Sequence, residues 1–242
     1  MTQAPNQNLN NKPNAFNELE QIASILSHDV KGSFHHITCF TDLIRKELDA
    51  GNIEVAQSYL SIIDQSADKL SQIISELVAY ANLHKLVKHE TRTNLKSCLH
   101  AAIDKLAPTI AQTSSTIHID VSGELRIDTA LMTQVFVHIL ENAIIYKHPN
   151  RLPEIHISSD HSEEFLTISI KDNGSGIPLK FQNQAFDLMR RFHTAPQYTG
   201  HGVGLAKCRR IIELHGGTIN LDSEYVDGCR ILITFPIDHK TA

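Results

Sequence analysis

From Leu19 onward, apolar or small side chains return in steps of four and three: Leu19, Ala23, Leu26, Val30, Ser33, Ile37, Phe40 and Ile44. That spacing is the heptad seam of a long helix, because positions three and four apart share one face. Asp49-Ala50-Gly51-Asn52 breaks the pattern, with Gly51 suited to the helix C-terminus. A second seam follows at Ala56, Leu60, Ile63, Ala67, Leu70, Ile74, Leu77 and Ala81, all apolar. Two long helices with a short turn between them predict an antiparallel helical hairpin. One hairpin cannot surround both stripes. Pairing two copies into a four-helix bundle is the economical solution, so a homodimer is expected; an intramolecular coiled-coil spacer is the alternative.

After about Thr91 the periodicity is mixed. Residues 95–111 read as an amphipathic helix and 116–121 alternate as a strand. Asp128 can cap a helix running through Leu131, Val135, Ile139 and Ala143. Residues 154–159 and 165–171 read as strands, the latter alternating cleanly in LTISIKD. A glycine-rich region spans Gly174 to Gly204. Residues 205–214 read as a helix stopped by Gly216-Gly217, and 218–223 with 230–235 as a closing hairpin. This predicts an α+β domain, a sheet with helices on one side. The expected division is a disordered Asn/Gln/Pro-rich leader over 1–18, the hairpin over 19–90 and the second domain over 91–242.

Composition narrows the class. The 242 residues are 41% hydrophobic and 20% charged, with a formal net charge of −5. These values exclude collagen-like, mucin-like and wholly disordered chains, and argue against a broad nucleic-acid or anionic-membrane footprint. No apolar run approaches the roughly 18–20 residues of a membrane span, and the N-terminus has no apolar core of a signal peptide, so a cytoplasmic location is expected. Cys39, Cys98, Cys208 and Cys229 form no CxxC pair and read as reduced, buried thiols. There are fifteen histidines, but no HExxH and no His/Cys cluster with metal-ligand spacing.

Four segments carry candidate chemistry. In Ser27-His28-Asp29, His28 lies opposite the seam and faces water. A neutral imidazole nitrogen can attack phosphorus, and an adjacent carboxylate can orient the ring and take its proton. A solvated polar pair would read the same way. Asp172-Asn173-Gly174-Ser175-Gly176 follows a strand. Its glycines allow close backbone approach, and Asp172 can accept a hydrogen bond from an exocyclic amine; a plain surface turn is the alternative. Gly200-His201-Gly202-Val203-Gly204 opens a helix, whose N-terminal amides can bind anions. It is neither a P-loop nor a dinucleotide fingerprint. Asn142, in Glu141-Asn142-Ala143, offers a hard oxygen suited to Mg²⁺, or is simply a surface or core amide.

The order of these segments closely resembles the sensor histidine kinases of two-component systems, over about residues 19–237. SHD resembles the family's H-box, Glu141-Asn142-Ala143 its N-box, Asp172–Gly176 its G1 box, Phe186–Phe192 its F-box region and Gly200–Gly204 its G2 box. RRFHTAPQYTGHGVGLA is most similar to the subgroup that includes phytochrome-type kinases, with a short ATP lid. The resemblance implies a dimerising histidine-phosphotransfer hairpin followed by a Bergerat-fold α/β sandwich that binds ATP. It implies that His28 is phosphorylated with Asp29 as general base, that Asn142 holds Mg²⁺, that Asp172 reads the adenine amine and that Tyr146 lines the pocket. Gly174, Gly176, Gly200, Gly202, Gly204 and Leu205 would shape the nucleotide site and its lid. Gly32 and Ser33 stand where the family has Thr or Asn and then Pro. His138 replaces a usual first Asn, and Ile145 a usual phosphate-contacting Lys.

The expected function is therefore an ATP-dependent protein-histidine kinase that passes its phosphoryl group from His28 to an Asp of a response-regulator receiver domain. No sensor domain fits before residue 19, so input is expected from a separate sensor protein, unless the chain is the core of a longer kinase. The departures motivate one alternative, a degenerate dimeric module that binds a receiver or nucleotide without catalysis. A second is an ATPase of the same fold without histidine transfer, for which the SHD-bearing hairpin would have no use.

Overall fold

The computed structural model describes residues 30–83, 88–190 and 202–237. They divide into two compact units, one ending at Leu77 and the other beginning at Val78. The expected leader and seam positions Leu19 to Leu26 lie outside the described residues.

The first unit is a helical hairpin of α1 (Lys31–Asp49) and α2 (Ile53–Asn82), the last turn of α2 from Val78 belonging to the second unit. The amides of Gly51 and Asn52 donate to the carbonyls of Leu48 and Glu47 at 3.1 and 2.8 Å, closing α1 as its sequence predicts. Phe40 and Tyr59 bring their rings within 5.5 Å across the hairpin. The second seam divides. Ala56, Leu70 and Leu77 are buried and Ile63 half-buried, whereas Leu60, Ala67, Ile74 and Ala81 are exposed. Tyr59, Ser66 and Ile73 take the inward places instead. Positions one residue apart lie about 100° apart around the axis, so α2 carries an inward stripe and a neighbouring open apolar stripe.

The second unit holds a five-stranded sheet in the order β2-β4-β5-β7-β6. Its strands are β2 (Thr116–Asp120), β4 (Glu154–His161), β5 (Phe165–Asp172), β6 (Thr218–Leu221) and β7 (Arg230–Pro236). The β2–β4 pair is parallel and the others antiparallel. A two-stranded sheet of β1 (Glu90–Asn94) and β3 (Glu124–Asp128) was not legible in the sequence. Both strands are only five residues long, β1 has no apolar side chain, and they pair across a helix and a strand that lie between them in the chain. The helices are α3 (Leu95–Thr113), α4 (Thr129–Ile145), the short α5 (Leu179–Gln182) and α6 (Gly204–Leu214).

Alternation along the strands explains the layering. On β5, Leu166, Ile168 and Ile170 are buried, and so are Ile155 and Ile157 on β4 and Ile231, Ile233 and Phe235 on β7. The opposite face is polar, as a sheet covered on one side requires. α4 carries much of the helical layer, with Met132, Val135, Phe136, Ile139, Leu140 and Ile144 at 2% exposure or less.

Asp128 starts α4 as predicted. Its Oδ1 accepts from the amides of Ala130 and Leu131 at 3.0 and 3.1 Å, and its Oδ2 from the His89 amide at 3.0 Å. Burial alone would raise this carboxyl, but those three donors outweigh it and hold it below the usual carboxylate range. The Asp128 amide in turn donates to His215 Nε2 at 3.0 Å, while His215 Nδ1 bonds the Ile211 carbonyl at 2.8 Å. That histidine ties the end of α6 to the start of α4.

The cysteines are free, but not all are buried: Cys98 and Cys208 are, Cys229 is half-buried and Cys39 is exposed on α1. Among the described residues, no helix is long and apolar enough to cross a membrane.

Candidate active site

The predicted G1 segment leaves the end of β5 and crosses the C-terminus of α4. Asp172 is half-buried there. Its Oδ1 accepts from the amides of Gly174 at 2.9 Å and Cys229 at 3.1 Å, while its Oδ2 makes no hydrogen bond among the described residues. One oxygen is thus fixed and the other is left for a further donor. Burial raises the Asp172 carboxyl above the usual range, against the pull of the two amides. Tyr225 donates its hydroxyl to the Asp172 carbonyl at 3.1 Å.

Two glycines make this arrangement possible. A Cβ on Gly174 would lie 2.6 Å from the Tyr146 carbonyl and 2.9 Å from Asp172 Oδ1. On Gly228 it would collide with the Asp172 carbonyl, and φ there is +150°. No side chain fits at either place. Gly176 lies against the backbone of Gly228. The loop is pinned to the end of α4, since the Ser175 amide donates to the Tyr146 carbonyl at 2.9 Å and the Ser175 hydroxyl to the Lys147 carbonyl at 3.1 Å. The β6–β7 loop closes from the other side, held by Arg151 Nη1 on Asp227 Oδ1 at 2.7 Å.

Tyr225, Gly228 and Cys229 were missed in the sequence. They lie more than fifty residues from Asp172, and no local spacing marks them. The Cys229 thiol is no nucleophile, because burial and the neighbouring Asp172 charge push it well above its ordinary range.

The predicted N-box residues sit on the open face of α4. His138, Glu141, Asn142, Ile145 and Tyr146 are all half-buried, while the opposite face is packed. His138 and Asn142 are one turn apart. The Asn142 carbonyl accepts the Tyr146 amide at 2.9 Å, and its side-chain amide makes no hydrogen bond among the described residues. An unengaged amide oxygen on a half-open face is compatible with a Mg²⁺ ligand. Ile145 is half-buried too, so this departure faces the same side as Asn142.

Gly204 starts α6 against His138, whose Nδ1 would lie 3.5 Å from a Cβ there. The first intrahelical bond to this end is Lys207 N–H to the Val203 carbonyl at 2.9 Å, so the amides before it remain for other acceptors. No acidic residue occupies the first turn, and Leu205 is half-buried. Gly202 accepts from the Met189 amide at 2.9 Å, which seats the F-box region beside α6. Asp187 and Arg209 add an ion pair at 3.2 Å, and Ala185, Phe186 and Leu188 are buried.

The structure therefore brings Asn142, Tyr146, Asp172, Gly174, Gly176, Gly202, Gly204 and Leu205 into one unit. His28, Asp29 and Gly200 lie outside the described residues, as do the lid positions 191–201.

Residues 127–239 match the family described as histidine kinase-, DNA gyrase B-, and HSP90-like ATPase. The chain is 27% identical over 224 residues to cyanobacterial phytochrome A of Nostoc sp., covering 91% of this chain and 29% of that protein. It is 28% identical over 227 residues to the adaptive-response sensory kinase SasA of Synechococcus sp., covering 90% of this chain and 57% of that one. Histidine kinase ThkA, solved in complex with response regulator protein TrrA, superposes with a TM-score of 0.68 at 21% identity, over 94% of this chain and 64% of that one. The chain spans under a third of the length of the phytochrome it matches. The glycine-walled Asp172 site lies within the region matched to that ATPase family, and the longer similarities to histidine kinases extend over the helical hairpin as well.

Proposed function

We propose that this chain is an ATP-dependent protein-histidine kinase that phosphorylates its own His28 and passes the phosphoryl group to an Asp of a response-regulator receiver domain. The observation that carries this is Asp172, with one carboxylate oxygen fixed by two backbone amides and the other unengaged. That is an acceptor built for an exocyclic amine such as that of adenine. The triphosphate would then extend past Asn142 towards the N-terminus of α6, where backbone amides and the helix dipole favour anions. Asn142 would hold Mg²⁺ through its amide oxygen, and the ion would supply charge neutralisation to the phosphates. The Tyr146 backbone holds the G1 loop, and its half-buried ring would line the pocket.

In the proposed step a ring nitrogen of His28 forms a bond to the γ-phosphorus as the bond to the bridging oxygen of ADP breaks. Asp29 takes the proton from the other ring nitrogen. Such transfers depend on positioning and electrostatics more than on covalent participation by the protein.

The proposed domain division is a phosphotransfer and dimerisation hairpin over 19–90 and a catalytic domain over 91–242. The open stripe of Leu60, Ala67, Ile74 and Ala81 supports a homodimer, because a soluble helix rarely leaves a continuous apolar stripe to water. The receiver partner is supported by analogy with ThkA, which was solved with its response regulator protein. A cytoplasmic location is compatible with both units.

Incubation with Mg²⁺ and γ-labelled ATP should give an acid-labile, base-stable phosphate on the parent and none on His28→Gln. Equal labelling of His28→Gln would overturn the assignment. A parent that binds ATP without labelling would favour the non-catalytic reading that Gly32, Ser33, His138 and Ile145 motivate.

A further inference from the structure

The outer, helix-free face of the sheet carries a side-chain cluster that takes no part in the nucleotide site. His118 on β2 and His156 on β4 are direct register partners in the one parallel pair among the described strands. Side chains of register partners point to the same face. Their rings stack with centroids 4.5 Å apart and planes 19° from parallel. Glu154 lies two residues before His156, hence on the same face. Its Oε1 is 2.9 Å from His156 Nε2 and 3.5 Å from His118 Nε2. One ligand atom from each of the three residues falls within 4.8 Å of the others. All three remain open to solvent, with side-chain exposures of 52%, 50% and 42% for His118, Glu154 and His156.

We propose that His118, Glu154 and His156 form a binding site for a divalent transition-metal ion, with water completing its coordination. Two imidazole nitrogens and one carboxylate oxygen converging on a common point are the donor set of Zn²⁺, Ni²⁺ or Cu²⁺. Mg²⁺ prefers an all-oxygen shell, so this site is chemically distinct from the one proposed at Asn142. Small adjustments suffice to bring the three atoms to bonding distance around one ion, since exposed side chains change rotamer freely.

The framework is already ordered. The ladder fixes the two histidines relative to each other. The backbone of Glu154 is held on both sides by Asn173: the Glu154 amide donates to Asn173 Oδ1 at 3.0 Å, and the Asn173 amide to the Glu154 carbonyl at 3.3 Å. Lys171, the β5 register partner of His156, adds a positive charge beside the cluster and moderates its affinity. Among the described residues β2 is an edge strand paired with β4 alone, so a bound ion would staple that edge to the sheet.

The test is calorimetric titration of the full chain, free of nucleotide, with Zn²⁺ alone and with Mg²⁺ as control. The parent should bind one equivalent of Zn²⁺ that the double variant His118→Ala/His156→Ala does not, and either single variant should lose at least roughly tenfold in affinity. Zn²⁺ should also raise the thermal midpoint of the parent more than that of the double variant. Because His118 is exposed and His156 only half-buried, the variants should keep the metal-free midpoint. Should the alanine variants misfold, His118→Gln/His156→Gln serves instead. A Zn²⁺ isotherm unchanged in the double variant would place the ion on other histidines and overturn the proposal, as would a parent that binds none.

Discussion

In the second unit α4 buries Leu131, Met132, Val135, Phe136, Ile139, Leu140 and Ile144 beneath the sheet, and the inner positions of β4, β5 and β7 meet them. In the hairpin, Phe34, Leu48, Ile53, Leu60 and Ile74 stay exposed, while a short inward row through Ala56, Leu70, Ile73 and Leu77 is covered. Both units are built from regular apolar patterns. A sheet with helices on one face closes its core within one chain. Two helices cover only one stripe of each other, and a broad apolar surface remains. The second unit thus closes its own core, whereas the hairpin leaves an apolar stripe for the proposed dimer to cover.

The largest effect should come from charging the open stripe. Leu60→Asp with Ile74→Asp would bury unpaired carboxylates in the proposed dimer, at a cost of several kcal/mol. Light scattering should show the parent as a dimer and the variant as a monomer with unchanged ATP affinity. A monomeric parent at micromolar concentration would break the comparison, since the hairpin would then stand alone. Ile63→Asp is a poorer probe: Ile63 is already half-buried, so that change would also disrupt the hairpin itself.

Next in size is Asp172→Asn. Losing a charge-assisted acceptor should weaken ATP by roughly 1.5–3 kcal/mol, about ten- to a hundredfold by calorimetry. The nucleotide-free thermal midpoint at neutral pH should hold or rise, because the buried charge is removed while an amide oxygen can still accept from Gly174 and Cys229. The sign follows from the raised carboxyl. The folded state holds the Asp172 proton more tightly than the unfolded chain, so the nucleotide-free fold gains stability as pH falls through that range. ATP affinity should fall over the same range, as the acceptor becomes a donor. Equal ATP affinity in parent and variant would refute the adenine role.

The smallest effect tests the departure on α4. Ile145→Lys should raise autophosphorylation or tighten ATP by about 1 kcal/mol if the ammonium reaches a phosphate oxygen. Half-burial leaves room for a long side chain to extend outward. A variant that is folded but no faster would mean that another cation, such as Lys147, Arg190 or Arg191, already serves the phosphates.

Periodicity and short-range spacing made the hairpin, its Gly51 turn, the Asp128 cap and most strands legible, because each depends on residues within a turn or two of one another. The glycine segments around Asp172 and Gly204 were legible for the same reason, and their order along the chain carried the family resemblance. The short strands β1 and β3 were not, since β1 (ETRTN) has no apolar residue and β3 (ELRID) only two, Leu125 and Ile127, too few to stand out. The heptad pattern identified an apolar helix but not which half of it turns inward. Leu60 and Ile63 look alike in sequence; only packing against α1 separates them.

By itself, then, the sequence determined the two kinds of unit, the capped and glycine-marked ends of their elements, and the residue types available for phosphoryl chemistry. Tertiary structure alone decided what closes around Asp172, where Tyr225, Gly228 and Cys229 arrive from a loop more than fifty residues away. It alone decided that His215 reaches Asp128, and that His118 and His156 stand side by side on a parallel pair. The physical reason is the range of the forces involved. Helix and turn preferences act within a few residues. Strand pairing and core packing bring together side chains at any separation, and a site composed of them has no spacing to read.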